Sequence, residues 1–253
     1  MHEQFARTIL LYGRESVDML KHRRVAVFGV GGVGGHCAEA LCRSGIGALD
    51  IFDGDVVDIT NINRQIIATH KTIGRDKVEA MRERLLDINP DVAVEARKLF
   101  YLPQTAGDVD LSLYDYIVDA VDTMTAKLEI VCRATELGVP LISSMGAANK
   151  HDPTALEVAD IYETSGCPMA RIMRRELRKR GVASLKVVYS KEPPSSAATD
   201  EASVDNGDNT KTGSDRPTPA SNAFVPPTVG LILASEVVKG LIGNEGLEVI
   251  GNR

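Results

Sequence analysis

The sequence predicts an α/β fold, an open, mostly parallel sheet with helices on both faces and a flexible crossover loop. Three observations lead there. Short apolar runs of strand length alternate with longer segments of helical periodicity, the order of a parallel sheet. The first run, Val25 to Phe28, breaks at the glycine cluster of GVGGVGG and passes into helical chemistry from His36 to Ser44. The chain has 253 residues, 43% of them hydrophobic, which is enough to bury one such core, whereas two independent domains would be cramped.

Taken in order, Phe5, Ile9, Leu10, Val17 and Leu20 recur at helical intervals, so residues 3–21 read as one or two short helices before the first strand. Gly29, Gly31 and Gly34 then fit G-x-G-x-x-G, with Gly32 inside the motif. Small residues there let backbone N–H groups and the positive end of a helix approach a phosphate, which makes the fold Rossmann-like. A glycine-rich turn with no ligand satisfies the same pattern. The next strand, through Leu49, Ile51 and Phe52, ends at Asp53, where an acidic residue usually meets a ribose. The loop DGDVVDITNINRQ then gathers Asp53, Asp55, Asn61, Asn63, Arg64 and Gln65, and Lys77 follows Arg64 by thirteen residues. A dinucleotide needs neither cation, but a triphosphate does, because fixed charges can neutralise its outer phosphates and the departing pyrophosphate.

Val78, Met81, Leu85 and Ile88 form one stripe of the next helix, which stops at Asn89-Pro90, and Val92 to Val94 reads as a third strand. Tyr114 to Val121 is the following strand and delivers Asp119 and Asp122 to its carboxyl end. Asp122, in the turn, suits a magnesium ion bridging phosphate oxygens, and Asp122 or Thr123 also suits the N-cap of the helix after it. VPLISSMGAA is the next strand, its small residues leaving room for substrate, and Ala155 to Thr164 another, with Asp160 and Glu163 outward. The helix from Pro168 has Met169, Ile172, Met173 and Leu177 as its buried stripe. The rest of its surface carries Arg171, Arg174, Arg175, Arg178, Lys179 and Arg180 against Glu176 alone. Such a run is either a solvated face or a surface for an anionic macromolecule. Residues 195–220 have the composition of a disordered or mobile insertion, and Val229 to Ile242 that of a buried closing helix. The latter is too short for a membrane span and contains Glu236 and Lys239.

In their order and spacing GVGGVG, DGDVVDITNINRQ and GRDK resemble the ubiquitin-activating-type adenylating superfamily, which includes the molybdopterin-synthase and thiamine sulfur-carrier adenylyltransferases. PMARIMRRELRKRGV and the following SLKVVYSKEPP resemble its tRNA threonylcarbamoyladenosine dehydratase branch. The resemblance implies a single adenylating domain over 1–253, with ATP and Mg2+ as cofactors and ATP-dependent cyclisation of the threonylcarbamoyl side chain in tRNA through an acyl-adenylate. It implies that Gly29, Gly31, Gly32, Gly34, Asp53, Asp55, Asn61, Asn63, Arg64, Lys77 and Asp122 hold the nucleotide. Catalysis falls to Arg64, Lys77, Asp122 and Arg7, the last reaching into a partner subunit's site within a homodimer. Read without the resemblance, Arg7 is a surface cation. The resemblance also makes tRNA the partner of the basic helix and leaves room for a sulfur-relay protein. The alternative is an adenylyltransferase for a ubiquitin-like sulfur carrier. A non-catalytic nucleotide-binding scaffold is a third reading, disfavoured by the intact cations and carboxylates.

The net charge of −6 disfavours wholesale nucleic-acid binding and confines any such role to a local patch. Cys37, Cys42, Cys132 and Cys167 form no C-x-x-C pair, so neither zinc nor a disulfide framework is expected. Cys167, before a proline at a helix start, is the one cysteine placed for reactivity. MHEQFARTIL lacks a signal-peptide core, which fits a cytoplasmic enzyme with no membrane association.

Overall fold

The computed structural model describes residues 3–195 and 219–248, with side chains through residue 243. The chain opens with a 3-10 turn, Glu3–Phe5, and two short helices, α1 (Ala6–Tyr12) and α2 (Arg14–Leu20). β1 (Arg24–Phe28), α3 (Gly34–Ser44), β2 (Ala48–Phe52), α4 (Lys77–Ile88) and β3 (Ala93–Arg97) complete the first half. Then come β4 (Tyr116–Asp119), α5 (Met124–Leu137), β5 (Leu141–Ser144), β6 (Leu156–Asp160), α6 (Pro168–Lys179), β7 (Lys186–Ser190) and α7 (Val225–Glu248). Gly243 interrupts α7 with φ 68°. Nearly all of the insertion expected at 195–220 lies outside the described residues.

The strands form one seven-stranded sheet in the order β3-β2-β1-β4-β5-β7-β6, parallel except for the β6–β7 pair. The sequence pattern explains why both faces are covered. In β1, Val25 and Val27 join a core with Leu41, Met81, Leu233 and Val237, whereas Ala26 and Phe28 point into the opposite core with Phe52, Ile117 and Ile130. That alternation leaves no face for water. Val131, Ala170, Met173, Leu177 and Val187 form a third cluster that seats α5 and α6 beside β7. α7 crosses α3 at Gly230, where a Cβ would lie 2.3 Å from the Val33 carbonyl oxygen. By length and composition α7 passes for a membrane span, but Val229, Leu233, Ala234, Val237 and Val238 are buried in the sheet core.

Several boundaries differ from the sequence reading. α3 begins at Gly34, two residues early, and β3 lies at Ala93–Arg97. β4 is shorter than Tyr114–Val121, because the chain before it winds into a 3-10 turn at Leu111–Leu113. β6 ends at Asp160, whose carboxylate accepts the Tyr162 N–H and turns the chain into Ile161–Glu163, so Glu163 is not a strand residue. In α6 it is Ala170 rather than Ile172 that completes the buried stripe, and Ile172 is 38% exposed. The short side chain at 170 lets the helix sit close to its neighbours.

Candidate nucleotide site

β1 is the point at which the strand order reverses, with β2 on one side and β4 on the other, so a crevice opens beyond their carboxyl ends. Backbone geometry there demands glycine. Gly29 has φ +83°, and a Cβ on it would lie 2.8 Å from the Ala120 oxygen at the end of β4. A Cβ on Gly34 would lie 1.8 Å from the Gly29 oxygen. The turn therefore closes tightly on itself and aims the start of α3 at the crevice.

Asp53 joins the two loops that line this crevice. Its Oδ2 accepts the Val30 N–H at 2.9 Å, and its Oδ1 accepts the Asp55 N–H at 2.9 Å. Burial pushes its carboxyl above the usual carboxylate range, and the nearby Lys77 pulls the other way. Lys77 is itself buried, with Nζ 2.8 Å from Asp55 Oδ2 and 3.9 Å from Asp53 Oδ1. Asp53, Asp55 and Lys77 thus form one cluster with the glycine turn. Each Asp53 oxygen keeps accepting capacity beyond the backbone contact, and that capacity suits a ribose hydroxyl pair.

Arg64 and Gln65 flank the glycine turn from the other side. The aliphatic stem of Arg64 lies on Gly32, where a Cβ would come 3.1 Å from Arg64 Cγ and 3.4 Å from Pro226 Cβ at the start of α7. Its guanidinium donates to the Thr60 carbonyl and to Asn63 Oδ1. Gln65 is buried beside Gly31, and its Oε1 has no hydrogen-bond partner among the described residues. The sequence placed Gln65 in the polar loop without a role. A buried acceptor left unpaired costs about 1–3 kcal/mol, which a water or a bound hydroxyl or amine would offset.

Other expected contacts are differently employed. Asn61 Oδ1 accepts the Asp58 N–H, closing a capping box over Ile59–Asn61, so this end of the side chain holds the loop rather than a ligand. Asn63 donates to the Ser221 carbonyl at 3.1 Å and so ties the loop to the chain entering α7. Asp122 is exposed just past β4 and accepts from the Thr123 hydroxyl. Thr123 occupies the N-cap of α5 without a side-chain capping bond, so the helix-cap reading of this turn fails for its side chain. Asp119 is committed elsewhere. Its buried Oδ2 faces Lys127 Nζ at 3.0 Å, an ion pair that the sequence reading missed. That leaves Asp122 as the free carboxylate at this strand end, and one carboxylate with substrate phosphates and water is a normal magnesium environment.

Arg7 is exposed on α1, a helix whose Leu10 is 86% exposed. The six cations of α6 are less free than their sequence suggests. Arg174 donates through Nη1 to the Ile161 and Thr164 carbonyls and to the Thr164 hydroxyl, which ties α6 to the turn before it. Arg178 lies over the Tyr162 ring, 5.1 Å from its centroid. Arg175, Lys179 and Arg180 all contact Glu176, and their hydrogen bonds, that of Lys179 first, hold its carboxyl down to about 2. Cys167 is buried at the α6 N-cap and accepts the Ala170 N–H.

A family model described as the ThiF family matches residues 5–252. The chain belongs to the ThiF family. Among curated members, the tRNA threonylcarbamoyladenosine dehydratase of Bacillus subtilis is 43% identical over 96% of this chain and 96% of its own. That of Escherichia coli is 35% identical over 70% of this chain and 66% of its own. Two crystal structures of the Escherichia coli tRNA N6-threonylcarbamoyladenosine dehydratase superpose on this ThiF-family chain, both covering 96% of it and 95% of the other. The complex with AMP does so at a TM-score of 0.84 and 28% identity, and the complex with ATP at 0.82 and 29%. By contrast, the Aspergillus terreus adenylyltransferase and sulfurtransferase uba4 aligns with 49% of this chain, at 34% identity.

Proposed function

We propose that this protein is an ATP-dependent tRNA threonylcarbamoyladenosine dehydratase that activates the threonyl carboxylate as an acyl-adenylate. The carrying observation is the way Asp53 draws Val30 and Asp55 together around Lys77, with Arg64 and an unpaired Gln65 acceptor against the same glycine turn. This set has a ribose acceptor, a phosphate turn and two cations, which is what adenylyl transfer needs.

In this reading the substrate carboxylate oxygen attacks the α-phosphorus of ATP, and pyrophosphate leaves with the bond electrons. Arg64 and Lys77 neutralise that departing charge, and Asp53 fixes the ribose so that attack is in line. Lys77 must exchange its Asp55 contact for phosphate oxygens. Magnesium held by Asp122 would supply charge neutralisation on the phosphates. A nitrogen of the ureido group then attacks the activated carbonyl, AMP leaves with the carboxylate oxygen, and the proton of that nitrogen passes to the departing phosphate or to water. Net loss of water follows from those two departures. Ring closure within one molecule draws on proximity, which lowers the demand on a general base.

The same reading makes the protein a cytoplasmic homodimer, with Arg7 of each protomer completing the other's triphosphate site. The exposed Leu10 and Leu11 of α1 support a second copy as the cover of this helix. Arg171, Arg175, Lys179 and Arg180, with the more constrained Arg178, make the tRNA-facing surface, and a sulfur-relay partner is a separate protein contact. ATP–pyrophosphate exchange is the test. It should require threonylcarbamoyl-modified tRNA, and exchange driven instead by a carrier protein would return the sulfur-carrier alternative.

A further inference from the structure

To reach a departing pyrophosphate the Arg64 guanidinium must leave its contacts to Thr60 and Asn63, so the backbone from which it swings has to stay in place. Packing does part of this. Three successive loop residues rest on glycines of the turn. An added Cβ would lie 3.1 Å from Arg64 Cγ at Gly32, 3.7 Å from Gln65 Nε2 at Gly31 and 3.4 Å from Ile66 Cγ2 at Gly35. Such contacts resist compression, but they are not directional and do not stop the loop from sliding.

A directional contact comes from His36, the third residue of α3. Its Nε2 lies 3.2 Å from the Arg64 carbonyl oxygen. A carbonyl only accepts, so Nε2 carries the hydrogen. Among the described residues no other hydrogen bond joins α3 to residues 59–65. The imidazole is held from behind, because α7 crosses the first turn of α3 at Gly230, where an added Cβ would lie 3.0 Å from His36 Cβ. Burial lowers the imidazole pKa against the opposing pull of the Arg64 carbonyl and of Glu39 on the same helix, and Arg84 of α4 adds to the lowering. At neutral pH the ring is therefore uncharged, and its one N–H is spent on Arg64.

We propose that His36 is a positioning residue for adenylyl transfer, fixing the Arg64 carbonyl so that the guanidinium can turn onto the departing pyrophosphate. The inference rests on the adenylating reading of the site and adds a residue that acts through Arg64. A pivot set in advance spares the reaction the cost of ordering the loop as charge develops.

The test is ATP–pyrophosphate exchange by the full chain with threonylcarbamoyl-modified tRNA. His36→Phe keeps a ring against Gly230 and lacks the donor. It should lower kcat about two- to tenfold, the value of one neutral hydrogen bond, and leave the KM for ATP unchanged. His36→Gln, whose amide reaches the same carbonyl, should restore kcat. His36→Met, slimmer and also without a donor, should behave as His36→Phe does, so the outcome does not hang on how one ring packs. Unaltered kcat in both donor-free variants overturns the proposal, even if their urea stability falls, since the histidine is then structural only. A loss that His36→Gln fails to restore also overturns it, as does a loss confined to the KM for ATP. A wild-type chain whose exchange is driven by a carrier protein contradicts the dehydratase reading alone, while one that exchanges with neither substrate overturns both.

Discussion

Lys127 Nζ stands 3.0 Å from Asp119 Oδ2, and both side chains are buried, at 1% and 0% exposure. The ammonium also donates to the Ser143 hydroxyl at 3.3 Å and to the Ser144 carbonyl at 2.7 Å, so β4, β5 and α5 are joined at one charge pair. Directly after Asp119 the chain makes the turn that carries Asp122. Removing the ammonium leaves a carboxylate buried without its countercharge. Lys127→Met should therefore cost about 3–5 kcal/mol in urea unfolding, and adding Asp119→Leu should recover much of it. Equal stability of the wild type and the single variant would show the pair to be idle.

Glu176 is the counter-ion on which Arg175, Lys179 and Arg180 converge. Glu176→Gln frees all three for phosphates, so tRNA binding should tighten at low salt and the salt dependence steepen by about one counterion. Neutralising Arg171, Arg175 and Lys179 together should weaken binding and flatten that dependence. Filter binding across a salt series reads both. The pH dependence has a definite sign. Since the Glu176 carboxyl is lowered from 4.5 to about 2, its contribution to the folded state is present above about 4.5 and fades as the pH falls toward 2. Glu176→Gln should remove that part of the acid dependence.

Arg174 is different in kind from its neighbours. Its guanidinium serves the Ile161 and Thr164 carbonyls. Arg174→Ala should lower stability by about 1–3 kcal/mol, because the Thr164 carbonyl loses its donor, and should leave the salt dependence of tRNA binding close to that of the wild type. A changed salt slope with unchanged stability would return Arg174 to the tRNA surface.

Mixed dimers test the role proposed for Arg7. Arg7→Ala and Arg64→Ala proteins should each be inactive, and mixing them under subunit exchange should restore activity, because one site of the heterodimer then has both cations. No recovery despite verified exchange would place both arginines in the same site or remove Arg7 from it.

Much of the framework was legible because its causes are local. Val25 to Phe28 alternates between two cores, Gly29 takes a φ of +83°, and Gly34 is dictated by the Gly29 oxygen, so pattern and spacing announce them. Most of what differs depends on partners elsewhere in the chain. Lys127 reads as an ordinary helix cation until β5 brings Ser143 and Ser144 beside it. Arg174 reads as one of six surface charges until the turn ten residues earlier folds under it. β6 was read too long because the Asp160 carboxylate, not a glycine or proline, ends it.

The central claim, that this chain dehydrates threonylcarbamoyladenosine in tRNA through an adenylate, is tested most directly by mass spectrometry of the nucleosides. Threonylcarbamoyl-modified tRNA is incubated with the protein and magnesium, with and without ATP. The modified nucleoside should lose one water only when ATP is present, and Asp122→Ala and Arg64→Ala should abolish the change. An unaltered nucleoside in the presence of ATP and active protein would contradict the claim.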